Sequence, residues 1–191
     1  MPRYKLTLEY DGTGLYGWQR QDEGETGQSL LENAVHAFCG ERITSQIAGR
    51  TDAGVHALAQ VAHIDLTRDW PEFKVMHALN HFLQDTQLSV LKAEQVTEDF
   101  HARFSAKGRR YLYRIINRRA PLSLDLGRAW QVPQPLDVDA MNDACSVLLG
   151  HHDFTSFRDS DCQAKSPVKT LDELHFERID GEEIHLHAAS R

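Results

Sequence analysis

Apolar and polar residues alternate through Tyr4–Tyr10 (YKLTLEY), with Leu6 and Leu8 set against Lys5, Thr7 and Glu9. A period of two places the leucines on one face, which predicts a half-buried strand. Between Gln28 and Cys39 the period lengthens. Leu30, Ala34 and Phe38, with Leu31, Val35 and Cys39, form one apolar stripe, which predicts a helix. Thr26 is a candidate N-cap, Ser29 with Glu32 would form a capping box one turn later, and Gly40 is a stop signal. Ala59–Leu66 follows as a strand. Phe73–Leu83 follows as a helix, with Phe73, Met76, His77, Leu79 and Phe82 toward the inside, and Leu88–Val96 as another strand.

The second half repeats this rhythm. Arg110–Asn117 predicts a strand with Tyr111, Tyr113 and Ile115 on one face. Val138–Leu149 predicts a helix behind an Asp137 cap, ended by Gly150. Thr170–Ile179 and Glu183–Ala188 predict strands joined at Asp180-Gly181, a hairpin dipeptide. Each half therefore reads strand, helix, strand, with a boundary near residues 100 to 108 and no fixed-period repeat. The chain stops at Ser190-Arg191 just after a strand, so a helix matching the first half is missing and one sheet face needs a cover from elsewhere.

A length of 191 residues suits one large domain or two small ones. With 41% hydrophobic and 26% charged residues, the profile is that of a soluble globular protein. No apolar run approaches a membrane span, and the N-terminus enters a strand pattern without a signal-peptide core. Cys39, Cys145 and Cys162 are far apart and odd in number, which predicts free thiols in a reducing compartment. The net charge of −7 argues weakly against a nucleic-acid partner. Its distribution argues the other way. Phe100–Ala120 contains no acid, while Arg103, Lys107, Arg109, Arg110, Arg114, Arg118 and Arg119 are interleaved with Tyr111 and Tyr113. A solvated basic face is the plain reading of such a run. Its richness in arginine favours bidentate phosphate contact, and the tyrosines suit base stacking.

Several chemistries find no support. Gly12–Gly17 matches G-x-G-x-x-G, yet the loop runs on through WQRQDEGE before any helix, so a tight turn seating Tyr16 and Trp18 fits better than a dinucleotide site. Eleven histidines make no H-E-x-x-H, no cysteine pair has zinc spacing, and no serine sits in G-x-S-x-G, so no metal is expected. The stretch AGRTDAGVH, residues 48–56, remains. Its Asp52 could cap nearby amides in an Asx turn, the common fate of aspartate beside glycine. Alternatively, Gly49 and Gly54 admit a ligand close to the backbone, and Arg50 keeps the carboxylate ionised for use as nucleophile or base. Spacing alone leaves both open.

GRTDAGVHALAQVAH strongly resembles the signature of tRNA pseudouridine synthases of the TruA family. YDGTGLYGWQRQ, DFHARFSAKGRRYLYRI and DFTSFR (153–158) agree in the same order. The resemblance implies an α+β pseudouridine synthase fold. Two ferredoxin-like halves, 1–104 with the catalytic Asp loop and 105–191, share an extended antiparallel sheet with a central basic cleft. It implies a cytoplasmic homodimer that takes the anticodon arm of tRNA and isomerises uridines 38, 39 and 40 to pseudouridine. The product is an isomer of the substrate, so no cofactor is needed. Asp52 matches the essential aspartate, taken as the nucleophile, with addition to C6, attack on C1′ and removal of the 2′ proton all open as its route, and Tyr111 matches the active-site tyrosine. Arg50, Arg103, Lys107, Arg109 and Arg110 fall to substrate binding. His56, Gln60, Phe154 and Arg158 fall to support of the site. Two departures stand out. NHFLQD has Gln84 where family members carry proline, and members continue past Ser190-Arg191 into a helix that closes the active site. The alternative reading is accordingly a tRNA-binding protein without catalysis.

Overall fold

The computed structural model describes residues 1–158 and 166–191; Cys162 lies outside them. The chain forms two compact units, Met1–Ala106 and Lys107–Arg191. Both combine helices with largely antiparallel strands, an α+β fold. Among the described residues no helix is long and apolar enough to cross a membrane.

The first unit contains β1 (Arg3–Tyr10), α1 (Gly27–Cys39), β2 (Gln46–Ile47), β3 (Ala57–Asp65), α2 (Glu72–Phe82) and β4 (Leu88–Val96). Its sheet runs β2-β3-β1-β4 with every pairing antiparallel. Alternation along β1 sends Tyr4, Leu6, Leu8 and Tyr10 into the core, where they join Leu31 and Val35 of α1 and Val75 and Leu79 of α2. Each such side chain, fully buried, contributes about 1.5–3 kcal/mol. The Tyr4 hydroxyl accepts the Trp70 N–H at 2.7 Å, which satisfies the one polar atom that β1 sends inward near the start of α2.

Local chemistry departs from expectation at both helices. Thr26 and Ser29 cap α1 reciprocally, the Thr26 hydroxyl accepting the Ser29 N–H at 3.1 Å and the Ser29 hydroxyl accepting the Thr26 N–H at 3.0 Å. Glu32 is therefore not part of a box. It is buried, accepts from Gln28 Nε2 and the Ser45 N–H, and pairs with Arg20 at 3.0 Å. In α2 the buried positions are Val75 and Leu79, one turn apart. Phe73 and His77 lie two residues from them, on the far side of a 3.6-residue turn, and both are exposed. Phe82 is exposed as well.

The second unit contains β5 (Arg109–Ile116), β6 (Trp130–Gln131), α3 (Val138–Ser146), β7 (Gly150–Asp153), β8 (Val168–Arg178) and β9 (Glu183–Ser190), with a 3₁₀ turn at Thr155–Phe157. The sheet order is β6-β5-β9-β8-β7, and β6 alone pairs in parallel, with β5. Asp137 caps α3 by accepting the Ala140 N–H at 3.0 Å. The helix ends at Ser146, earlier than its apolar spacing predicts, and Gly150 opens β7 instead of serving as the stop. Asn142 of α3 exchanges two hydrogen bonds with the Phe176 backbone, at 3.0 and 2.7 Å, and so satisfies β8 beyond its pairing with β7. The buried core here is small: Ile115, Val132 and Ile184, flanked by Leu136, Val138 and Phe176.

Candidate active site

The loop before β3 is fixed through its backbone. The Trp18 N–H donates to the Thr51 carbonyl at 3.0 Å, the Gly54 N–H to the Leu15 carbonyl at 3.3 Å, and the Ala48 N–H to the Val61 carbonyl at 2.8 Å. The Tyr10 and Thr51 hydroxyls lie 2.8 Å apart. Gln60 of β3 donates from Nε2 to the Gly49 carbonyl at 2.8 Å. The loop that leaves β1 therefore backs the Asp52 loop along its length. Gly17 makes this approach possible: its φ is +80°, and a Cβ there would lie 2.7 Å from the Thr51 carbonyl oxygen. Trp18 is buried as expected, whereas Tyr16 is 53% exposed and rests on Gly24 instead of the core.

Asp52 sits exposed at the tip. The Val55 N–H bonds to the Asp52 carbonyl at 3.2 Å, not to its carboxylate. Among the described residues the carboxylate has no hydrogen-bond or ion-pair partner, so the amide-capping reading is not realised. Arg50 is exposed on the same loop. His56 closes it. Its Nδ1 accepts the Gly12 N–H at 3.0 Å and lies 3.0 Å from the Asp11 carboxylate, while its Nε2 is enclosed without a partner. One imidazole nitrogen cannot serve both neighbours in one tautomer, so the proton position decides which contact dominates.

Behind β3 lies a support that spacing did not show. His63 is buried, and its Nδ1 accepts the Ala102 N–H at 3.1 Å. Burial, with the Arg3 charge adding to it, lowers its pKa from 6.5 to about 4, so the ring is neutral at pH 7. It meets Phe100 and His101 edge-on, with centroids 6.2 and 4.8 Å away. Arg3 pairs with both oxygens of Asp65 at 2.7 Å and also donates to the Glu98 and Phe100 carbonyls. These contacts pin the segment that leads into Arg103, which is exposed. The histidine at the end of AQVAH, two residues before an acid, was the available signal.

In the second unit Lys107 and Arg110 are exposed and Arg109 is half-buried. Tyr111 on β5 is 55% exposed and faces Ala188 of β9, a small partner that leaves the ring uncovered. Arg114 and Arg118 of the basic run have acidic partners: Arg114 pairs with Asp125 at 3.0 Å and Glu183 at 2.7 Å, and Arg118 with Glu182 at 3.1 Å. Half-buried Phe154 and exposed Arg158 flank the 3₁₀ turn after β7. Two strands separate β7 from β5, about 14 Å at the usual strand spacing, so they do not gather around Tyr111. Arg50, Asp52, His56 and Gln60 thus form one group, and Lys107, Arg109, Arg110 and Tyr111 a second along β5 and its approach.

Comparison with known proteins bears on what these groups are. A family profile described as tRNA pseudouridine synthase matches residues 7–105 and 144–191. Those ranges hold Asp52 and its loop, Arg103, Phe154 and Arg158; Lys107, Arg109, Arg110 and Tyr111 fall between them. The whole chain aligns with tRNA pseudouridine synthase A of Paramagnetospirillum magneticum at 59% identity, over 74% of that protein. It aligns with the proteins of the same name from Brucella ovis and Brucella canis at 56% identity, over 76% of each. The loop that holds Asp52 and the strand that carries Tyr111 both lie inside these alignments, and the chain belongs to the tRNA pseudouridine synthase family.

Proposed function

We propose that the protein isomerises uridines at positions 38, 39 and 40 of the tRNA anticodon stem-loop to pseudouridine, with Asp52 as the catalytic nucleophile, without a cofactor, as a cytoplasmic homodimer. The observation that carries this reading is the Asp52 carboxylate, exposed and without a bonding partner among the described residues, at the tip of a loop fixed on both flanks. A reactive group must be held near its productive geometry, and the backbone contacts on both flanks of the loop do this while the carboxylate faces solvent. The reaction breaks the N1–C1′ bond of uridine and forms C5–C1′. N1 gains a proton and C5 loses one, so the balance closes with no oxidant, reductant or water consumed. The ionised carboxylate acts at the base or at the ribose. Arg50, exposed on the same loop, helps displace the target base from its stack. Tyr111 stacks on the detached uracil while the glycosidic bond is open. Arg103, Lys107, Arg109 and Arg110 hold phosphates, and His56 and Gln60 keep the loop in place. Phe154 and Arg158 belong to the rim.

The test is tritium release from unmodified tRNA carrying 5-³H-uridine, which reports loss of the C5 hydrogen. Release by the wild-type protein and none by Asp52→Ala, with tRNA affinity equal in both, is the expected result. Release that survives Asp52→Ala removes the assignment of Asp52. Binding without release by wild type selects the reading of a tRNA-binding protein without catalysis.

A further inference from the structure

The hairpin of β8 and β9 brings together side chains that the Asp52 chemistry does not use. His175 lies directly opposite His187 in the antiparallel register, and Glu173 opposite Ala189. The three side chains Glu173, His175 and His187 consequently share one face. A β-bulge at Asp172 interrupts the register just before Glu173, the kind of irregularity that re-aims a side chain. The two imidazoles are stacked nearly parallel, with centroids 4.9 Å apart and planes 12° apart. One donor atom from each of Glu173, His175 and His187 can be chosen so that all three lie within 4.8 Å of one another.

We propose that Glu173, His175 and His187 form a binding site for a divalent first-row transition ion of the Zn²⁺ class. Two imidazoles and one carboxylate are the donor set such ions take, and they leave a fourth position open. Tetrahedral donors about 2.1 Å from zinc stand roughly 3.4 Å apart, so closure on one ion turns at least one of the two imidazoles out of the stack, a χ rotation that exposed His175 is free to make. A second observation points the same way. His187 Nε2 is enclosed and has no hydrogen-bond partner, and its nearest acid, Glu177, stands 3.7 Å away. His175 Nδ1 is likewise 3.5 Å from Glu173. A cation can take the place of the partner that His187 Nε2 lacks among the described residues, and Glu177, 3.7 Å away, adds negative charge beside it. The neighbouring His185 does not compete, because it is taken by Glu183 at 2.8 Å, which also holds Arg114. Spacing along the chain hides this site, since twelve positions separate the two histidines and only the hairpin register makes them neighbours. An ion here joins the last two strands of the second unit, where few apolar side chains are buried.

The experiment is calorimetric titration of the 191-residue chain, stripped with chelator, with Zn²⁺ alone, together with thermal melts with and without the ion. One saturable site per chain is expected, with a rise in Tm on adding Zn²⁺. His175→Gln and His187→Gln should each weaken binding by roughly tenfold or more and abolish the rise in Tm, with unchanged circular dichroism. His36→Gln and His77→Gln, on helices of the first unit, should leave both unchanged. Absence of a saturable site below about 100 μM overturns the proposal, as does binding retained in both hairpin variants or lost equally in the helix variants. None of these readouts uses tRNA, so the outcome is independent of the Asp52 assignment.

Discussion

Gly17→Ala probes how tightly the loop after β1 holds the loop that carries Asp52. Two costs can be separated. Gly17 has φ +80°, and an L-residue there costs roughly 1 kcal/mol. The added Cβ would also stand 2.7 Å from the Thr51 carbonyl oxygen and 3.2 Å from the Asp52 carbonyl carbon. Carbon–oxygen contacts relax to about 3.3 Å, so the Asp52 loop must retreat by roughly 0.6 Å or absorb overpacking strain of about 1–3 kcal/mol. Misplacing a catalytic group by 1 Å can cost about 100-fold, so a shift of this size should lower turnover by roughly tenfold. Gly14→Ala is the matched control, because its φ is +79° and nothing lies within 4 Å of its Cβ. That variant should lose only the conformational term, a fall in Tm of about 2–4 °C, with turnover intact. Tritium release under single-turnover conditions, beside thermal melts of both variants, reads the two costs apart. If the two substitutions prove equal in Tm and in rate, the close approach of the two loops has no consequence and the reasoning fails.

Other outcomes follow from the same geometry. The folded-state pKa of His63, about 4, lies below the ordinary 6.5. The unfolded chain therefore binds the extra proton first, and stability should be full above pH 6.5 and fall as pH drops toward 4, by at most roughly 3 kcal/mol. His63→Gln should flatten urea midpoints across that window, and an unchanged slope would remove His63 as its origin. Tyr111→Phe should keep most turnover while Tyr111→Ala loses most of it; equal rates in the two would end the stacking role. Affinity for tRNA should fall steeply with salt, and alanine at Arg103, Lys107, Arg109 or Arg110 should each reduce the log–log slope by about 0.7–0.9, whereas a flat salt response would rule out the phosphate contacts.

Long elements were legible because burial imposes their period. β4 was predicted as Leu88–Val96, the bounds it has, and β1 and β9 differ only by a residue or two at an end. The two-residue strands β2 and β6 and the four-residue β7 are too short to show any period, and none was predicted. Phe73 and Phe82 misled because large apolar residues on a short helix suggest a stripe, while the buried register is set by Val75 and Leu79. The Asp52 loop could be found from its residues, but not what fixes its backbone. That depends on Tyr10 at the end of β1 and on Leu15 and Trp18 of the loop that follows, which reach Thr51 and Gly54 from some forty positions earlier. Arg114 and Arg118 read as available charge because their acidic partners, Asp125, Glu182 and Glu183, lie outside the acid-free run.

The strand order β2-β3-β1-β4 has a consequence for synthesis. β1 is synthesised before β3 and β4, yet it is an interior strand whose Tyr4 pairs with Ile64 on one side and Gln95 on the other. Translation at about 5–20 residues per second separates Tyr10 from Val96 by roughly 4 to 17 seconds. Throughout that interval Tyr4, Leu6, Leu8 and Tyr10 lack at least one of the neighbours that enclose them, and both edges of β1 are open to pairing with other nascent chains. β1 is thus the strand of the first unit that calls for a holding chaperone, and codon changes that slow translation between residues 10 and 96 should raise aggregation.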